Sequence, residues 1–214
     1  HNIEFTKDYF MIKGTFEKED ISSVIKCNLI EGEGKSIQKD GKKYKRFSEH
    51  ICQFPIIIIS PTDTNLILED SEVRRKYLDS SIAQYKRSYI QVLIKYNKAL
   101  KQRNTLLQQF LEKDFFDETT LEIYDKQLVE YGNEIFQERQ DFLKKLLPVF
   151  NKYYNVISQA KESVSLEHKS QLNETDFDKL IIQSRARDRI AKSTQVGVHK
   201  DDVLFKMESH PIKK

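Results

Sequence analysis

Tyr96-Asn97-Lys98-Ala99-Leu100-Lys101-Gln102-Arg103-Asn104-Thr105-Leu106-Leu107 decides the architecture. Its apolar residues return at three- and four-residue steps, which is helical rather than strand spacing. The pattern extends back through Tyr89 and Leu93 and forward to Leu111, so Tyr89, Leu93, Tyr96, Leu100, Leu107 and Leu111 form a seven-residue repeat that Arg103 interrupts. A second stripe follows the turn region Asp114 to Thr120: Leu121, Tyr124, Leu128, Tyr131, Ile135, Phe142 and Leu146. Two closely joined stripes of this length predict an antiparallel helical hairpin over residues 89–146, with Leu93, Leu100, Leu128 and Ile135 in its seam. Pro148 is expected to end or kink the second helix, and Val149 to Ile157 to form a further short one.

Upstream, Ser71 is expected to cap a helix containing Val73, Tyr77, Leu78 and Ile82, with a bend near Lys86-Arg87-Ser88. Residues 1–60 read as strands. Tyr9 to Phe16 and Ser22 to Ile30 are β-branched or aromatic runs between acidic turns, and Asp40-Gly41 supplies the positive φ angles of a tight hairpin. Phe54-Pro55-Ile56-Ile57-Ile58-Ile59-Ser60 is apolar without alternation, as in a strand covered on both faces. Downstream, Val164, Leu166 and His168 alternate like a short strand, Thr175 is expected to cap another helix, and Thr194 to Val198 and Val203 to Met207 read as closing strands. The fold class is therefore α+β, with strands at both ends and a mostly helical arm inserted between them.

Composition sets the outer limits. The 36 basic residues nearly cancel the 33 acidic ones, so the net charge of +3 gives no global field for nucleic acid, and any such contact must be local. Cys27 and Cys52 have neither CxxC spacing nor histidine neighbours, which suggests no zinc site or disulfide framework and fits a reducing cytoplasm. The longest apolar run falls far short of the roughly 20 residues that a membrane helix needs.

Three segments then carry a family likeness. Phe54 to Asp63 followed by Ser71-Glu72-Val73-Arg74-Arg75-Lys76-Tyr77-Leu78-Asp79 resembles the RecF pattern of a strand, a Ser-Pro-acid turn and a helix with paired arginines. Gln102-Arg103-Asn104 resembles that family's Gln-Arg-Asn segment, and Gly197-Val198-His199-Lys200-Asp201-Asp202 resembles its Gly-Pro-His-Arg-Asp-Asp signature, with Val198 and Lys200 as departures. The three stand in the right order over most of the chain.

The resemblance implies the middle of an SMC-like, ABC-type ATPase of DNA repair, replication and recombination. It implies residues 1–62 as the β-rich part of the ATPase head, 63–190 as the helical arm, and 191–214 as strands returning to the head. It further implies that the full-length protein hydrolyses ATP slowly with Mg2+, forms an ATP-dependent homodimer, binds double-stranded DNA near single-strand gaps, and works with RecR and RecO to load recombinase. The family's phosphate loop is expected before residue 1, and its signature segment and magnesium-binding acids after residue 214, so this segment alone is expected to turn over no ATP and to hold no cofactor. Gly32-Glu33-Gly34-Lys35-Ser36 holds the one Gly-Lys-Ser, but the first glycine that a phosphate loop requires would stand at Leu29, so it reads as a turn.

Several residues admit two readings each. Asp63 is either a turn acid bonding its own backbone or, by the resemblance, part of a nucleotide-sensing loop. One of Arg74 and Arg75 is expected in an internal ion pair. Arg103 and Asn104 are either a polar bridge that fixes helix register or a surface position beside a bend. His199, Lys200, Asp201 and Asp202 form a mixed-charge loop that suits a structural role or a phosphate contact better than a metal site, since no second His or Cys lies near. Lys35, Lys39, Lys42, Lys43, Lys45 and Arg46 cluster at the hairpin, where they either contact a DNA backbone or keep a solvated edge from pairing. The competing class is a stand-alone helical module that binds a protein through its seam.

Overall fold

The computed structural model describes residues 3–4, 6–112, 116–208 and 210–212. The chain divides into two compact units, residues 1–57 and residues 58–214.

The first unit is a four-stranded antiparallel meander in the order β1 (Tyr9–Lys18), β2 (Ile21–Ile30), β3 (Gly34–Lys39), β4 (Lys42–Lys43). The β3–β4 turn is set by Asp40 at φ 49° and Gly41 at φ 82°, the positive pair that the Asp-Gly dipeptide predicts. Ser23 and Ile25 are buried on the inner face of β2. Phe16 meets Phe54 there at 4.7 Å between ring centres.

The second unit begins with α1 (Asn65–Leu68) and α2 (Ser71–Tyr85), continues through α3 (Arg87–Glu112) and α4 (Glu118–Ser158), and ends with β5 (Val164–Lys169), α5 (Phe177–Ala191), β6 (Asp202–Met207) and β7 (His210–Pro211). Lys86 meets Glu138 at one end of the α3/α4 pair, and Arg103 meets Asp125 nearer the turn, which is the antiparallel hairpin expected from the two stripes. Part of that turn, residues 113–115, lies outside the described residues. The last three strands form an antiparallel sheet, β5-β6-β7.

Five details depart from the sequence reading, each for a physical reason. The seam of α3 buries Tyr89, Val92, Tyr96, Ala99, Arg103, Leu107 and Phe110, while Leu93 and Leu100 are only half-buried beside it. Gly132 occupies the seam because large rings fill the space opposite: a Cβ there would stand 2.4 Å from Phe177 Cε1 and 3.2 Å from Tyr96 Cε2. Phe54 to Ser60 joins neither sheet, and Ile57, Ile58 and Ile59 are each at least 80% exposed, so the run lacks the covering layers its composition calls for. Thr194 to Val198 is not a strand, because its donors go to side chains: Thr194 N–H to Asn104 Oδ1, Gln195 N–H to Asp188 Oδ1, and Gly197 N–H to Gln171 Oε1.

Helix α4 runs through Pro148 to Ser158 without a break, absorbing the short helix expected after it. Pro148 and Lys144, whose carbonyl loses its intrahelical donor, are both exposed, so water can meet that carbonyl. The caps also move by one residue. Asp70, not Ser71, accepts from Glu72 N–H, and Asp176, not Thr175, is the N-cap of α5. Ser71 Oγ instead accepts from Arg75.

Candidate functional site

The loop 194–202 gathers side chains from every long helix of the second unit. Gly197 makes this possible: its φ is 113°, and a Cβ there would lie 2.6 Å from Phe177 Cζ and 2.9 Å from the Tyr96 hydroxyl. Only glycine tolerates both the left-handed backbone and that approach.

Two buried arginines organise the surroundings. Arg139 of α4, 2% exposed, donates Nε and Nη2 to the two carboxylate oxygens of Asp79 on α2, both at 3.0 Å. Its Nη1 reaches the Val198 carbonyl at 2.7 Å and Asp201 Oδ2 at 3.1 Å. Tyr89 donates to Asp79 Oδ1 at 2.5 Å, and His168 Nε2 lies 3.2 Å from Asp201 Oδ2. Burial is the largest single influence and works against the Arg139 charge, but Asp79, Tyr89 and Asp201 together outweigh it and hold the guanidinium above its ordinary pKa. Burial pushes the Tyr89 phenol up in turn.

Arg103 of α3 is fully buried and donates Nε to Asp125 Oδ1 at 2.6 Å and Nη1 to Asp188 Oδ2 at 2.7 Å and Thr194 Oγ1 at 2.9 Å. Arg185 of α5 closes the far side on Asp125 Oδ2 at 2.9 Å. Asn104 Oδ1 accepts both the Thr194 N–H and its hydroxyl, at 2.8 Å and 2.7 Å. Arg103 and Asn104 therefore bridge α3 to α4, α5 and the loop, the first of the two readings above. Gln102 is exposed beside them.

The paired arginines of α2 both point inward. Arg74 holds Asp202 through Nε at 2.6 Å and Nη2 at 3.1 Å, and Arg75 Nη1 donates to the Asp201 carbonyl at 2.6 Å. Arg74 also caps the Glu69 carbonyl at 2.7 Å. His199 Nε2 lies 3.0 Å from the Thr194 carbonyl, which fixes its proton there, so Nδ1 accepts from the Tyr96 hydroxyl at 2.8 Å. Burial lowers the His199 pKa to about 4, so the ring is neutral near pH 7. Both ring nitrogens are engaged internally, whereas Lys200 is exposed. Arg139 is matched by Asp79 and Asp201, and Arg103 by Asp125 and Asp188, so the cluster latches the helices to the loop.

The hairpin of the first unit is a separate locus. Lys35, Lys42, Lys43, Lys45 and Arg46 are exposed, while Lys39 donates to Gln53 Oε1 at 3.1 Å and lies 5.3 Å from the centre of the Phe54 ring. Gly34-Lys35-Ser36 opens β3 rather than a helix, so the cradle of amides at a helix N-terminus that triphosphate binding uses is not formed there. Asp63 Oδ2 accepts from Ser60 N–H at 2.9 Å, a local capping box around the Ser60-Pro61 turn. Among the described residues no group of three His, Cys, Asp or Glu is placed to hold a metal ion.

No protein-family model matches the chain. Over 213 residues, all of this chain, it is 43% identical to the DNA replication and repair protein RecF of Flavobacterium johnsoniae, covering 59% of that relative. Along its whole length the chain is similar to RecF proteins. It is 36% identical over 214 residues to the RecF of Bacteroides thetaiotaomicron, covering 57% of it. The structure superposes on the recombination mediator protein RecF-ATP of the RecFOR pathway with a TM-score of 0.90 and 29% identity, over 99% of this chain and 59% of that one. The chain thus spans about three fifths of the length of the RecF relatives it matches, and its fold is that of the corresponding part of the RecF ABC-type ATPase.

Asp79, Arg139, Tyr96 and His168 belong to this cluster, but the sequence singles none of them out as a site residue. Asp79 sits at the end of a quoted motif, yet Arg139 is one charge in an acidic and basic helix face. The clue available was its spacing: Ile135, Arg139 and Leu143 hold consecutive seam positions.

Proposed function

We propose that this chain is the middle portion of a RecF-type DNA repair and recombination ATPase that binds duplex DNA near single-strand gaps and, with RecR and RecO, helps load recombinase. The single observation that carries the reading is the 43% identity to a DNA replication and repair protein along the whole of this chain. The relative solved as RecF-ATP supports ATP as the ligand of the complete protein, with Mg2+ as the ion that ATP chemistry ordinarily requires. In this reading residues 1–62 and 191–214 belong to the ATPase head and 63–190 form its arm. The segment supplies no catalytic group: its role is to carry the arm, tie it to the loop 194–202, and offer DNA contacts at Lys39, Lys42, Lys43, Lys45 and Arg46, with Lys200 as a second exposed cation. Asp63 is the residue of this segment assigned to the nucleotide-sensing turn.

The test uses the complete protein that contains this segment. It is expected to bind a gapped duplex more tightly with ATP than without, and to sediment as a dimer only with ATP. Absence of both nucleotide effects would overturn the reading.

A further inference from the structure

The strand register places a row of cations across one face of the first sheet that no stretch of sequence shows. Lys13 of β1 is the direct cross-strand partner of Lys26 of β2, Lys26 of Gln38 on β3, and Gln38 of Lys43 on β4. Directly paired residues of an antiparallel sheet project to the same face. Strands lie about 4.8 Å apart, so the row Lys13, Lys26, Gln38, Lys43 runs roughly 14 Å across the sheet. The opposite face carries the buried Ser23 and Ile25, which leaves this one to solvent.

Like charges placed directly opposite are destabilising in a sheet, and Lys13 against Lys26 is such a pair. Among the described residues none of the three lysines forms an ion pair. Asp40, the acid nearest in register, is tied by Oδ1 to the Val24 N–H at 2.7 Å. Glu17 stands two pairs further along, opposite Ser22. Protection of a sheet edge explains a lysine on β1 or β4, but not one on β2, which is hydrogen-bonded on both sides. The adjoining positions on this face are Met11, Thr15, Val24, Asn28 and Ser36, none of them acidic. No aromatic ring stands within the row, so it lacks the stacking platform that single strands use.

We propose that this outer face of the first sheet, through Lys13, Lys26 and Lys43, is a docking surface for the phosphate backbone of duplex DNA. The row needs anions to relieve its repulsion, and a duplex backbone supplies closely spaced ones without requiring base contacts. The proposal rests on the DNA-binding reading above and sharpens it, because the register divides the hairpin cluster: Lys43 joins the row, whereas Lys42 pairs with Lys39 on the other face.

The experiment is a salt titration of duplex binding by this chain, followed by fluorescence anisotropy. Lys13→Gln/Lys26→Gln/Lys43→Gln is expected to flatten the slope of log affinity against log salt by about 2 to 3 units, at about 0.9 per phosphate contact. Lys18→Gln/Lys35→Gln, on the opposite face, is expected to leave it unchanged. Lys13→Arg/Lys26→Arg keeps both charges and is expected to retain the wild-type slope, and losing it would overturn the proposal. A slope that falls only in the opposite-face variant would overturn the surface and leave the DNA reading standing. No salt-dependent duplex binding by the wild-type chain would overturn the surface together with DNA contact by this segment. Tighter binding of a single strand than of the duplex would also overturn the proposal.

Discussion

Arg139 on α4 and Asp79 on α2 meet in a two-pronged pair, Nε to Oδ1 and Nη2 to Oδ2, both at 3.0 Å. The pair joins α2 to α4, and Asp201 extends it to the loop 194–202. A buried ion pair is poor evidence of net stabilisation, because both charges had to leave water, but removing one partner strands the other. Arg139→Ala is therefore expected to cost about 3 to 5 kcal/mol in chemical denaturation. Asp79→Ala/Arg139→Ala should cost much less than the sum of the single changes, and additive costs would show that the two side chains do not act as a unit.

Gly197 makes a separate demand on the same loop. Gly197→Ala puts a methyl 2.6 Å from the Phe177 ring at a φ of 113°, so strain and overlap act together. A loss of roughly 2 kcal/mol or more is expected from such a combination. Gly41→Ala, at φ 82° with nothing within 4 Å of the added Cβ, isolates the backbone part and should cost about 1 kcal/mol. Equal losses at the two sites would mean that the close approach to Phe177 contributes nothing.

His199 gives the fold a pH dependence whose sign follows from its lowered pKa. The unfolded chain binds a proton near the ordinary histidine value of about 6.5, while the folded chain resists until about 4. Between those values the unfolded state carries more protons, so the contribution is complete above about pH 6.5 and is lost as pH falls toward 4. The full effect is on the order of 3 kcal/mol by the linkage rule. His199→Gln, which cannot titrate, should lower stability at pH 7 and flatten the profile between pH 4 and 6.5. A wild-type profile already flat there would remove the neutral, buried ring from the account.

Leu128 and Leu100 distinguish the observed seam from the one the sequence suggests. Leu128 is fully buried, and Leu128→Ala is expected to cost about 2 to 5 kcal/mol. Leu100 is half-buried at the edge, so Leu100→Ala should cost well under that. A larger loss at Leu100 than at Leu128 in matched thermal melts would reverse the assignment.

The difference between those two leucines shows where sequence reading worked and where it stopped. Period was enough for the helical hairpin and strand β5, and the Asp-Gly dipeptide for the Asp40-Gly41 turn, because each rests on local geometry. Position within the seam was decided by partners distant in sequence: the Tyr96 and Phe177 rings leave no room for a side chain at Gly132. The candidate site divides in the same way. Arg74, Arg103, Asn104, Gly197 and the acids 201–202 were legible through motif resemblance, while Arg139 and His168 become visible only when folding brings them to Asp201. Phe54 to Ser60 failed for the converse reason: its composition specifies burial, and the chain described has no layer to provide it.

Pro148 lies inside a helix of 41 residues, which its ring chemistry alone would forbid. It survives because the Lys144 carbonyl it deprives of a donor is on an exposed turn, so the cost falls on a hydrogen bond that water replaces. Restoring the donor should stabilise the helix. Pro148→Ala removes a residue whose intrinsic penalty in a helix interior is about 3 kcal/mol relative to alanine, part of which the relaxed turn has already absorbed. A gain of about 1 to 2 kcal/mol is expected, seen as a higher melting temperature together with slowed exchange of the new amide at 148. If the melting temperature falls instead, the proline is holding a bend that the packing of Phe150 and Tyr154, stacked with ring centres 6.1 Å apart, requires.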